Sequence, residues 1–128
     1  MKLITLITTT ALLGSLPAFA GGNHDHAHAH DPMHGGVVVE VKDIDLELVA
    51  QADRIQLYLR DHGKPVDVSK GHARLTLLTG SDKQDIELTP AGDKLQATGT
   101  FKLGSGSKAV AVVTLPGKAP TTARFVLK

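Results

Sequence analysis

An antiparallel β-sandwich or barrel is the fold class predicted for residues 35–128, with an immunoglobulin-like sandwich preferred, and three observations predict it. Short apolar segments, seven or eight of them, recur at roughly 8–12-residue spacing. Turn-forming clusters separate them, and no segment carries a convincing helical period. Two further units precede this all-β domain: a signal peptide over residues 1–20 and a flexible His-rich arm over residues 21–34.

The leader comes first. Met1-Lys2 gives a short positive start, and an apolar stretch runs from Leu3 to Leu16. Pro17 breaks it, and Ala18-Phe19-Ala20 supplies the small-x-small pattern that signal peptidase reads. A membrane anchor is the competing reading, but the stretch is shorter than the roughly 20 residues a span needs. Cleavage before Gly21 leaves about 108 of the 128 residues, a length that suits one domain. The expected location is the periplasm, with no membrane span in the mature form.

The arm holds His24, His26, His28 and His30 at alternate positions, with His34 just beyond; five of the seven histidines fall in this tract. Asp25 and Asp31 are interspersed, and Met33 adds a thioether. Neutral imidazole ligates zinc, copper, nickel and cobalt, and a His-rich tract can bring several nitrogens to one ion. The candidate ligands are therefore His24, His26, His28, His30, His34, Asp25, Asp31 and Met33, binding a divalent transition metal reversibly. Zinc would take four tetrahedral ligands, whereas copper(II) and nickel(II) accept tetragonal nitrogen and oxygen sets. Met33 offers one soft ligand to copper(I) and reads equally well as a residue packed at the domain edge. Cleavage one residue late would expose Gly22-Asn23-His24 as a terminal square-planar copper site. The bland alternative for the whole tract is a solvated polar linker.

From Gly35 onward the pattern has period two. Val37–Val41 reads as a strand, and Ile44, Leu46 and Leu48 then alternate with Asp45 and Glu47. A helix over Leu46–Ala52 is the local alternative. Arg54–Arg60 alternates cleanly, and Asp61-His62-Gly63-Lys64 reads as a tight turn before Pro65. Further strands fit Ala73–Leu78, Gln84–Leu88, Leu95–Phe101, Ala109–Leu115 and Ala123–Leu127. The glycine-containing clusters at 80–82, 90–93, 104–106 and 116–117 punctuate them. The expected core is Val38, Leu46, Leu48, Ile55, Leu57, Leu59, Leu75, Leu77, Ile86, Leu88, Val110, Val112, Phe125 and Leu127.

Several motifs resemble a known domain. His34-Gly35-Gly36, Leu46-Glu47-Leu48-Val49, the run from Tyr58 to Val66, and Leu75–Gly80 are similar to a small β domain that accompanies periplasmic adaptor subunits of heavy-metal efflux pumps. The similarity covers about 90 residues, and its motifs are short. It implies a periplasmic β domain concerned with heavy-metal handling, with an adaptor subunit as partner. The chain departs from the adaptors in lacking their helical hairpin, lipoyl-like and barrel segments.

Composition narrows the function classes. No cysteine is present, so neither disulfides nor thiolate chemistry is available. Without Lys2 the chain carries 13 basic and 13 acidic residues, which gives no field for nucleic acid or anionic lipid. Tyr58, Phe101 and Phe125 are the only aromatic rings after the leader, too few for a base-stacking platform. No catalytic motif occurs, so the expectation is not an enzyme. The acidic residues read as ordinary surface strand positions, and His62 and His72 as turn or strand-edge residues. Two function classes remain: a metal chaperone, buffer or efflux accessory, and a protein-interaction module whose β domain binds an adaptor by strand addition.

Overall fold

The computed structural model describes residues 30–128. The expected signal peptide over residues 1–20, and His24, Asp25, His26 and His28 of the expected arm, lie outside the described residues. Among the described residues the chain is all-β and has no helix, hence none long and apolar enough to cross a membrane. The strands are β1 (Val37–Val41), β2 (Ile44–Gln51), β3 (Arg54–Asp61), β4 (Lys64–Pro65), β5 (His72–Thr79), β6 (Asp82–Ala91), β7 (Lys94–Thr98), β8 (Lys108–Thr114) and β9 (Thr121–Val126). The helical alternative at 46–52 is replaced by β2, and the strand expected over 95–101 ends at Thr98.

The strands pair antiparallel in the order β1-β2-β3-β7-β6-β5-β8-β9, with β4 appended to β3. The sheet turns its corner at β6. Residues 82–88 of that strand pair with β5, while Thr89–Ala91 pair with β7. Pro90 sits beyond this switch, where its missing N–H costs the longer β5–β6 ladder nothing. The sheet then curls until β1 packs alongside β9 without a ladder between them. The result is nearly a barrel.

Two tight turns fix what lies near the site. Lys42 and Asp43 both have positive φ, 51° and 66°, which makes β1 and β2 a two-residue hairpin of the twisted kind, here without glycine. That turn sets Val41 against Ile44 and Glu40 against Asp45. His62 and Gly63, at φ 51° and 80°, repeat the device between β3 and β4.

The interior is aliphatic. Leu46, Leu48, Ile55, Leu57, Leu75, Leu77, Leu88 and Leu95 are all essentially inaccessible, with Phe125 closing one end. Three expected core residues are corrected. On β8 the inward residues are Ala109, Ala111 and Val113, whereas Val110 is half-buried and Val112 is 37% exposed. On β1, Val37, Val39 and Val41 pack on the core and Val38 faces away with Glu40.

Both strands are apolar on two faces, so alternation alone does not select one. The charged neighbour does. Lys108 shares a face with Val110 and Val112, and Glu40 shares one with Val38; turning either pair inward would bury a charge. Size agrees with this choice. Ala109 pairs with Phe125 and with Leu77, and Ala111 pairs with Ala123 and Leu75, so small side chains on β8 leave room for the large ones beside them.

This parity has a direct consequence for stability. Val113→Ala should cost about 2 kcal/mol through lost burial and a cavity. Val112→Thr should stay within about 0.5 kcal/mol. Urea unfolding of the two variants checks the assignment, and the reverse ranking would refute it.

Candidate metal centre

With Leu46 and Leu48 committed to the core, period two turns Asp45 and Glu47 outward. Both are nevertheless buried, Glu47 completely, because residues 30–36 lie over them. The Glu47 carboxylate organises that cover. Oε2 accepts from the backbone N–H of His34 at 2.8 Å and of Gly36 at 3.0 Å, and Oε1 accepts from that of Met33 at 3.0 Å. Gly35 supplies the φ of +75° that aims these groups inward. Gly36 allows the approach itself, since a Cβ there would lie 2.4 Å from the Leu48 carbonyl oxygen.

The neighbouring strand completes the dock. Arg60 stands opposite Asp45 and Tyr58 opposite Glu47 in the β2–β3 register. The buried Arg60 guanidinium donates from Nη2 to the Asp31 carbonyl oxygen at 3.0 Å and lies 3.9 Å from Glu47 Oε1. The His34 ring stacks on Tyr58 with centroids 3.6 Å apart and planes 11° from parallel. Lys94 Nζ stands 5.7 Å from the Tyr58 ring centroid.

His30 occupies the adjacent row, where Glu40, Asp45 and Arg60 face one another across β1, β2 and β3. Its Nδ1 is 2.7 Å from Asp45 Oδ1 and its Nε2 is 3.2 Å from Glu40 Oε2. One ligand atom from each of the three residues falls within 4.8 Å of the others. Two carboxylates directly opposite in a ladder repel, and a cationic group between them relieves that repulsion. A protonated His30 ring would be such a group.

The titration directions follow from these contacts. The hydrogen bond to Asp45 raises the His30 pKa above its ordinary value; partial burial opposes it, the charges of Asp45 and Glu40 add to it, and Arg60 subtracts. For Glu47, burial pushes upward, but the hydrogen bonds from Gly36, Met33 and His34 outweigh it, so the carboxyl stays below its ordinary value.

The expected ligands are thus distributed as follows. His30 joins Glu40 and Asp45. Asp31 contributes its carbonyl to Arg60, Met33 contributes its N–H to Glu47 while its side chain is 66% exposed, and His34 stacks on Tyr58. His24, Asp25, His26 and His28 lie outside the described residues. His62 is bonded to Asp61 in its turn, and His72 opens β5; neither belongs to the His30 group. Glu40, Asp45, Glu47, Arg60 and Tyr58 were not legible as site residues. The available signal was the β1–β2–β3 register, which puts two acids and Arg60 in one row. No family model, curated protein or solved structure matches the chain.

Two outcomes test the dock. Glu47→Gln removes the acceptor for one N–H and leaves Arg60 buried without its counter-charge, so it should destabilise the protein by about 3 kcal/mol. Gly36→Ala should weaken the same contact without changing any charge. Tyr58 is the single tyrosine and no tryptophan is present, so tyrosine emission reports loss of the His34 stack; unchanged emission in both variants would refute the dock.

Acid should release the dock as well. A carboxyl whose folded pKa is depressed contributes stability above its unfolded value, about 4.3. That contribution is lost as pH falls through the lower folded value. Tyrosine emission should therefore hold to about pH 4 and change below it, with the transition moved or abolished in Glu47→Gln.

Proposed function

We propose that the chain is a periplasmic metal-binding protein that captures divalent transition ions reversibly, as a chaperone, buffer or accessory to heavy-metal efflux. The alternating histidines His24, His26, His28 and His30, with Asp25, Asp31, Met33 and His34, form the capture tract. The observation that carries this reading is the position of His30. The last of the alternating histidines meets two carboxylates of the β domain at 2.7 and 3.2 Å, so nitrogen and anionic oxygen donors converge where the tract reaches the domain. Zinc, cobalt and nickel accept that donor set. An adaptor subunit as partner remains part of the proposal, with strand addition as its mode of binding. We propose further that the curled sheet is an immunoglobulin-like sandwich, with the β1–β2–β3–β7 and β5–β8–β9 portions as its layers, joined through β6.

Replacing His24, His26, His28 and His30 with alanine should lower affinity for zinc(II), copper(II) and nickel(II) by at least about tenfold per lost ligand pair, while the folded domain persists. Protons compete for each imidazole near pH 6.5, so affinity should fall by more than tenfold between pH 7.5 and 5.5. Isothermal titration of parent and variant at both values reads each effect. Equal affinity in parent and variant would remove the tract from the mechanism.

A further inference from the structure

We propose that His30, Glu40 and Asp45 form a fixed cation site on the outer face of the β1–β2 hairpin, selective for borderline divalent ions such as zinc(II) and cobalt(II). The inference rests on the metal-binding reading and narrows it: one site belongs to the folded domain, and the histidines before it are not needed to form it.

Three observations carry it. The Lys42-Asp43 turn fixes Glu40 directly against Asp45, so the two carboxylates share a face without any rearrangement of the backbone. The Asp45 side chain is only 6% exposed, whereas those of His30 and Glu40 are 40% and 44% exposed and leave one side open to an arriving ion. The three ligand atoms already lie within 4.8 Å of one another.

The chemistry selects the ion. Two carboxylates neutralise a divalent charge, one imidazole supplies nitrogen, and no sulfur is in the set, which disfavours copper(I). An ion about 2.1 Å from each ligand in tetrahedral geometry holds the donor atoms roughly 3.4 Å apart. The present contacts use different ring nitrogens, Nε2 to Glu40 at 3.2 Å and Nδ1 to Asp45 at 2.7 Å, so a single nitrogen must come to stand at that spacing from both acids. The ring must also turn so that one nitrogen faces the ion, which takes the place of the imidazolium proton between the acids. The fourth position is open to water. Arg60 faces Asp45 from β3 and opposes the cation, but its guanidinium is engaged with the Asp31 carbonyl and Glu47.

The test uses the full mature chain with His24, His26 and His28 replaced by alanine. This protein should still bind one equivalent of zinc(II) or cobalt(II) and raise its Tm on doing so, and should not bind copper(I). Adding Glu40→Gln and Asp45→Asn should weaken zinc(II) at least tenfold, with the metal-free protein still folded by its far-UV circular dichroism. His30→Ala, which leaves the hairpin intact, should weaken it likewise. If the triple-alanine protein binds nothing while the parent binds, the fixed site is wrong and the tract reading survives. Affinity that is indifferent to His30→Ala and to the carboxylate changes overturns the site as well. If the parent itself binds no zinc(II), both readings fall.

Discussion

A carboxylate with no access to water, accepting three backbone N–H groups from a segment eleven to fourteen residues away, is the interaction on which the site depends. Glu47 is ionised in a place where burial alone would neutralise it. The convergence of the Met33, His34 and Gly36 amides, with Arg60 nearby, makes that charge tolerable, so the segment and the carboxylate require each other. Without residues 33–36, Glu47 would be a solvated strand residue like any other. Without Glu47, three amides at the foot of the His-rich tract would lose their acceptor. The local glycines serve the same contact, Gly35 by its positive φ and Gly36 by its closeness to Leu48.

Around this contact the outer face of β1–β2–β3 is a patterned electrostatic surface. Acids at Glu40, Asp45 and Glu47 meet one buried cation, Arg60, and one titratable cation, His30. The two titrations pull in opposite senses. The raised His30 pKa contributes stability below its unfolded value, near 6.5, and loses it as pH rises through the folded value. The depressed Glu47 pKa contributes above about 4.3 and loses it as pH falls. The docked segment is consequently favoured most in mildly acidic solution. At higher pH His30 gives up its proton, which relaxes its hold on the acids and frees a nitrogen lone pair. The residue that bridges the acids at low pH is then the one able to ligate an ion between them.

The fold was legible where one face of a strand is apolar and the other polar. Ile55, Leu57 and Leu59 alternate with Gln56, Tyr58 and Arg60, and the structure follows that alternation. Legibility failed on β8, because Val110 and Val112 look as apolar as Ala109, Ala111 and Val113, and the deciding Lys108 stands just before them. It failed differently at the site. Asp45 and Glu47 read as surface positions because their parity is outward, and the parity is correct. What hides them is a segment more than ten residues away, a tertiary relation that no local pattern contains. His30 stood out in the sequence as a candidate ligand by its repeat, but its contacts depend on a hairpin register set by Lys42 and Asp43, two residues without the glycine that usually announces such a turn.

Docking also changes what the tract can do. A free chain that closes several histidines around an ion loses conformational freedom at every residue it fixes, roughly 1–2 kcal/mol each. Here the last histidine of the repeat is already held against the domain, so that part of the ordering is complete before any ion arrives. His28 precedes it by two residues, a reach of about 7 Å at full extension, and His26 and His24 follow at similar steps. On the proposed function, an ion held loosely by the upstream histidines would be confined within a few residues of a carboxylate pair, at a high effective concentration. On the same proposal, transfer would need only the exchange of one imidazole for one carboxylate at a time, and the alternating sequence would serve as collector and as approach to the fixed site.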